Sequence, residues 1–174
     1  MNIAELLADA FGRVHETVHE AVDGLTPGQL VFRPDSGANS IAWLVWHLTR
    51  IQDDHIADVA GTGQVWMSTR NGPSWADRFG LPFAATATGY GHGSEAVAAV
   101  QIESGELLTG YYDAVHEETL RYVAGLTDPD LDRIVDKAWD PPVTLGVRLL
   151  SVVNDDLQHA GQAAYLRGLI LRRR

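Results

Sequence analysis

The chain contains no cysteine. That excludes disulfides, zinc–thiolate sites, cysteine-ligated iron–sulfur clusters and a cysteine nucleophile. Any metal must be held by histidine and carboxylate, and any thiol chemistry needs a thiol brought in from outside. Positive charge is scarce as well. Thirteen Lys and Arg stand against 23 Asp and Glu, a formal net charge of −10. A general nucleic-acid binder would show a basic face, so nucleic acid is not an expected partner. The terminal run Arg172, Arg173, Arg174 is too short to change that and suits the C-terminal end of a helix dipole. Long apolar runs are missing too: none approaches the roughly 18 residues of a membrane span, so no membrane partner is expected. The N-terminal stretch MNIAELLADAF carries acids where an export signal would carry basic residues, which makes a cytoplasmic location the expectation.

What is present is helical periodicity. The 174 residues are enough for one domain with a proper core, and a single domain over 1–174 is expected. Residues 2–24 read as a helix. Ile3, Leu6, Leu7, Ala10, Phe11, Val14, Val18, Ala21, Val22 and Leu25 recur at i, i+3, i+4 and i+7. His15 and His19 are one turn apart, an acceptable metal spacing, but beside Glu16 and Glu20 they read as a solvated face. A connection rich in turn residues follows, and Asn39 or Ser40 caps a second helix over about 40–60. Its apolar stripe is Ile41, Leu44, Val45, Leu48, Ile51 and Val59. His47 lies at the edge of that stripe and His55 nearer its middle, so periodicity alone favours His55 as the buried one.

Residues 61–93 lose the helical period. They carry Trp66, Trp75, Phe79, Phe83, Tyr90 and His92 among glycines and prolines. The aromatic content argues against disorder, and a loop of this length predicts a lid or pocket wall, or else a cover for the core edges. A third helix is expected over 94–124 with Ser94 as cap, and a fourth from about Leu145 to Ile170 after a Trp139–Pro142 turn. One internal repeat is visible: HETVHEAVDGLTPGQL (15–30) matches HEETLRYVAGLTDPDL (116–131). Two related helix–connection–helix halves predict a four-helix bundle, with His15 and His116 as structural residues.

The chemistry gathers in NDDLQHAGQAAYLRG, residues 154–168. Positions four apart share a helix face, so Asp155 and His159 address the same object. Asp156 lies three before His159 and nearer the centre of the apolar stripe, and an acid there needs a partner such as a metal. With His47 or His55 from the second helix, two imidazoles and one carboxylate would suit zinc, iron or nickel and leave a position for water or substrate. The remaining acid would orient a ligand from outside the ligand set. Spacing leaves both histidines of the second helix and both acids open.

The segments SIAWLVWHL, WADRFGLP, TGYGHGSEAVA and DDLQHAGQAAYLRG resemble the DinB-like superfamily, and most of all its mycothiol-dependent branch of S-transferases and maleylpyruvate isomerases. The resemblance covers almost the whole chain. It implies an all-α four-helix bundle with up-down-down-up connectivity, a long loop between the second and third helices, and a metal between the second and fourth. The metal ligands it implies are His47, Asp155 and His159. The branch commonly carries glutamate where this chain has Asp155, and other superfamily members carry histidine. Aspartate is one methylene shorter, so its carboxylate must approach more closely or bind through water.

The activity implied is a metal-dependent one, with Zn2+ first and Ni2+ or Fe2+ as alternatives. A low-molecular-weight thiol would be the co-substrate and a small electrophile the substrate. Arg70, Trp75, Tyr90, His92 and Arg167 are the expected substrate-pocket residues. Two alternatives stand beside this reading. One is a metal-dependent hydrolase working through bound hydroxide. The other is a non-catalytic, stress-related bundle whose partner is a second copy of itself.

Overall fold

The structure is a computed structural model and describes residues 1–172. The last two residues of the terminal arginine run lie outside the described residues. Four long helices make the frame: α1 (Ile3–Val22), α3 (Ile41–Ala60), α6 (Gly105–Val123) and α7 (Leu145–Arg172). Shorter helices sit between them, α2 (Pro27–Leu30), α4 (Trp75–Phe79) and α5 (Ser94–Ala99), with one antiparallel ribbon of β1 (Ile134–Asp136) and β2 (Val143–Thr144).

The sequence dictates the helix ends. Asn2 accepts the Glu5 backbone N–H at 2.8 Å while the Glu5 carboxylate accepts from the Asn2 N–H, a reciprocal cap for α1. Ser40 caps α3 through the Trp43 N–H, and Gly61 closes that helix in the left-handed conformation. The internal repeat has a structural counterpart. Thr26 with Gln29, and Thr127 with Asp130, build the same reciprocal cap at equivalent places in the two copies.

Inter-helix contacts fix the topology. Arg167 near the end of α7 donates to the Asp23 carbonyl at the end of α1, so these two run parallel. Gly105 at the start of α6 abuts Val22 at the end of α1, so those two are antiparallel. In α3 and α7, His47 faces His159 while His55 meets Arg148, again antiparallel. This is the up-down-down-up arrangement, with α1 and α3 each packed against both α6 and α7. The core runs the length of the bundle. Phe11, Val14 and Val18 of α1 are fully buried, each such side chain stabilising the fold by about 1.5–3 kcal/mol on apolar burial alone. Among the described residues no helix is long and apolar enough to cross a membrane.

Two expectations need correction. The third helix does not start at Ser94, which is instead the first residue of α5. The chain leaves helical geometry at Val100 and resumes it at Gly105. Val100 and Ile102 are both buried, 1% and 8% exposed, and burial two residues apart is the period of extended chain. A Cβ on Gly105 would stand 2.7 Å from a Val22 methyl, so this position lets α6 begin close against α1. The turn expected at Trp139–Pro142 is real, but it joins the short strands β1 and β2.

The 61–93 segment is packed rather than loose. Trp66 is 4% exposed and contacts Tyr111, Phe79 and Trp46. It is held by Asp53, whose carboxylate accepts the backbone N–H of Val65 and of Trp66, both at 2.8 Å, and the Tyr111 hydroxyl at 2.7 Å. Fully buried Arg50 completes the knot, donating to the Ala87 carbonyl and the Gln64 side chain and lying 3.5 Å from Asp53. Burial pushes the Asp53 carboxyl above its ordinary value, against the pull of these donors and of Arg50.

Candidate metal centre

Near the start of α3, residues 40–50 are all buried, because the returning loop 86–92 covers the face that the bundle leaves open. His47 is therefore 5% exposed, whereas His55 further along is only partly buried and accepts from Arg148 at 3.1 Å. Helical periodicity ranked them the other way. It has no knowledge of a loop that arrives from forty residues away.

His47 Nδ1 donates to the Thr88 carbonyl at 2.5 Å. That bond fixes the tautomer and leaves Nε2 free as a ligand. Burial lowers the pKa of His47, opposed by the Thr88 contact, so the ring is neutral as a metal ligand must be. Trp43, one turn earlier, stacks on it at 4.6 Å between ring centroids. From α7, His159 Nδ1 donates to Gln162 at 3.0 Å and also keeps Nε2 free. The rings of His47 and His159 meet edge to face at 4.9 Å.

Asp155 completes the group. Its Oδ1 lies 3.6 Å from His159 Nε2, and its Oδ2 is buried with no hydrogen-bond partner. One ligand atom from each of His47, Asp155 and His159 falls within 4.8 Å of the others. On a tetrahedral ion with bonds of about 2.0–2.2 Å, ligand atoms stand roughly 3.3–3.6 Å apart. The Asp155–His159 separation already matches that, so the shorter carboxylate reaches. The residues present fit a divalent ion: two imidazoles with free Nε2 atoms, and a carboxylate with an unanswered oxygen.

Asp156 stands apart from this group. It is fully buried, neither of its oxygens has a partner, and burial pushes its pKa well up, with the Asp155 charge adding to the rise. Its position in the apolar stripe is as the sequence implied, and it bears electrostatically on Tyr112 of α6.

The other expected site residues divide. His92 is beside the centre: Trp43 Nε1 donates to its Nδ1 at 3.3 Å, and its ring packs against Phe83 and Trp46. Burial lowers its pKa. Tyr90 is on the covering loop and is 89% exposed. Arg70 and Trp75 line a different hollow with Glu117 and Glu118 of α6, where Arg78 lies 3.7 Å over the Trp75 ring. Arg167 is engaged with α1.

Two positioning residues escaped the sequence reading. Gly89, at φ +93°, lies so close to His47 that a Cβ would be 2.7 Å from Nδ1. Arg50 holds the neighbouring Ala87 carbonyl and so anchors the loop that supplies Thr88. The signals were the Gly-x-Gly-x-Gly spacing of 89–93 and a charged pair, Arg50 and Asp53, inside an apolar helix.

Comparison with known proteins bears on the fold. A crystal structure of a conserved protein from Enterococcus faecalis superimposes with a TM-score of 0.89 at 30% identity, covering 98% of each chain. No curated protein matches significantly. The family model described as the DinB superfamily matches residues 10–163, a span that contains all three residues of the His47, Asp155 and His159 group, and on that match the chain belongs to the DinB superfamily.

Proposed function

We propose that the protein is a metal-dependent enzyme that passes a low-molecular-weight thiol to a small electrophile, or isomerises one with thiol assistance. Mycothiol is the thiol suggested by the branch resemblance. The observation that carries the proposal is the His47, Asp155 and His159 group, with its free Nε2 atoms and unpartnered Asp155 Oδ2. A divalent ion, Zn2+ before Ni2+ or Fe2+, would supply there a Lewis acid that lowers the pKa of a bound thiol.

The chain's own residues do the rest. Thr88 and Gln162 orient the two imidazoles. Trp43 covers one face of His47 and excludes water from it. His92 accepts at Nδ1, so its neutral ring carries its proton on Nε2, and the ring is proposed as an acid–base group. Asp155 and His159 are partly exposed, with 34% and 19% of their side chains accessible, which opens the group to a substrate from solvent. Tyr90, next to Gly89, is proposed as a substrate contact at the rim. Arg70, Trp75 and Arg167 have other engagements and take no part in this reading.

The test joins metal analysis of untagged protein to thermal shift with small thiols. A thiol that raises the melting temperature of the metal-loaded protein but not of the chelator-stripped protein is the expected result. Turnover of an ester or amide panel with no added thiol would overturn thiol transfer in favour of hydrolysis.

A further inference from the structure

A second cluster of ligand atoms lies across the bundle, between α1 and α6. His15 and His19, one turn apart on α1, both aim Nε2 at the same oxygen, Asp113 Oδ1 on α6, at 2.8 and 2.7 Å. All three ligand atoms fall within 4.8 Å of one another. The sequence reading gave this face of α1 to solvent. In the fold it is only 33% and 40% accessible at the two histidines, and it is paired with the neighbouring helix.

We propose that His15, His19 and Asp113 form a second divalent-metal site, for an imidazole-preferring ion such as Zn2+ or Ni2+, that fastens α1 to α6. Two imidazoles and one carboxylate favour such ions over Mg2+ or Ca2+, which take oxygen ligands. Ligands presented at i, i+4 spacing on one helix and from the facing helix of the bundle are a recurrent way to hold metal in helical proteins.

Two further observations point the same way. A third imidazole, His116, sits one turn after Asp113 with its ring 4.6 Å from that of His15, and its Nδ1 is buried without a hydrogen-bond partner. Beside His19 opens a hollow of about 340 Å³ lined by Asp23, Glu103 and Glu106, an acidic approach for a cation. The present separations of 2.7–2.8 Å are tighter than a metal would hold. Ligation requires each side chain to move outward by a few tenths of an ångström, which partly exposed side chains do readily. The site does not depend on the α3–α7 centre, with which it shares no residue.

The experiment is Zn2+ uptake by chelator-stripped protein, measured by equilibrium dialysis with metal analysis, for wild type and four variants whose folding is checked by circular dichroism. His159→Ala disables the α3–α7 centre, while Asp113→Asn and His19→Ala disable the second. Asp113→Asn keeps a hydrogen-bond acceptor for the histidines, so the clamp between helices survives without the ligand charge. Wild type is expected to take up two equivalents. His159→Ala should retain one equivalent that excess Mg2+ does not displace, and His159→Ala/Asp113→Asn none. If the α3–α7 reading alone fails, wild type takes up one equivalent that His159→Ala leaves intact and Asp113→Asn removes. The proposal is overturned if His159→Ala binds no zinc, or binds the same amount with and without Asp113→Asn. In either case the cluster is a hydrogen-bond clamp only.

Discussion

The Nδ1 of His47 donates to the carbonyl of Thr88 at 2.5 Å, a contact between residues 41 apart in the chain. A helix positions this imidazole but a loop orients it. The loop is held in turn by Arg50, three residues after His47 on the same helix. The ring that the candidate centre depends on is therefore fixed from both sides by one short stretch of α3.

Gly89→Ala is expected to weaken metal binding about 10–100-fold, the range found when the outer support of a ligand histidine is disturbed. The added methyl would fall 2.7 Å from His47 Nδ1, and φ at +93° disfavours any residue with a Cβ. Competition against a chromophoric chelator measures the effect. An unchanged affinity would show that the loop does not hold the ring.

Asp155→Asn should lower metal affinity by at least about tenfold while leaving the fold intact, since the carboxylate contributes charge at a partly exposed position. Asp156→Asn should behave differently. Asp156 is fully buried and outside the ligand group, so its replacement is expected to act on unfolding midpoint more than on metal content. Metal analysis beside urea denaturation separates the two, and equal metal loss in both would put Asp156 among the ligands.

Asp53→Ala is expected to cost about 3–5 kcal/mol of stability, because it leaves the buried Arg50 guanidinium without its counter-charge. It also strips an acceptor from the Val65 and Trp66 N–H groups and from Tyr111. Urea unfolding at neutral pH reads this directly. A loss under about 1 kcal/mol would mean that water replaces the carboxylate, as at exposed pairs.

Acid should destabilise the protein through its buried histidines. Burial lowers the His55 pKa, and the Arg148 guanidinium that donates to Nδ1 lowers it further. His116 is lowered to about 4, again chiefly by burial. In the unfolded chain these rings protonate at about 6.5, ahead of the folded protein. The unfolded state then binds more protons, and stability falls as pH drops below that value until the folded pKa is reached. The buried carboxyls Asp53 and Asp156, both raised, act in the opposite sense, so His55 is read by difference. His55→Asn keeps an acceptor for Arg148 without the titration. In chelator-treated protein its stability should decline less steeply than wild type between about pH 7 and pH 5. Parallel slopes would remove His55 from the account.

Much of the architecture was legible because it is local. The α1, α3 and α7 spans follow from apolar residues every three or four positions, and the start of α3 from the cap at Ser40. The α6 start was not legible, because Val97, Val100, Leu107 and Leu108 fit a helical stripe equally well if the chain runs straight through. Only burial of both Val100 and Ile102 shows that it does not. Arg50 and Asp53 stand three apart in an apolar helix, but nothing local told what they hold.

By itself the sequence determined the helical class, the absence of thiolate ligands and the one-turn pairing of Asp155 with His159, since each depends on composition or on spacing within one helix. Tertiary structure decided the rest. It buried His47 rather than His55, because a loop from residues 86–92 covers one and Arg148 meets the other at the bundle's edge. It placed Asp155 within reach of both imidazoles and turned Asp156 into the core, a distinction of one residue that helix rotation sets. It also brought Asp113 to His15 and His19 from 98 and 94 residues away. Contacts of that separation depend on how helices are rotated and paired, which no local pattern encodes.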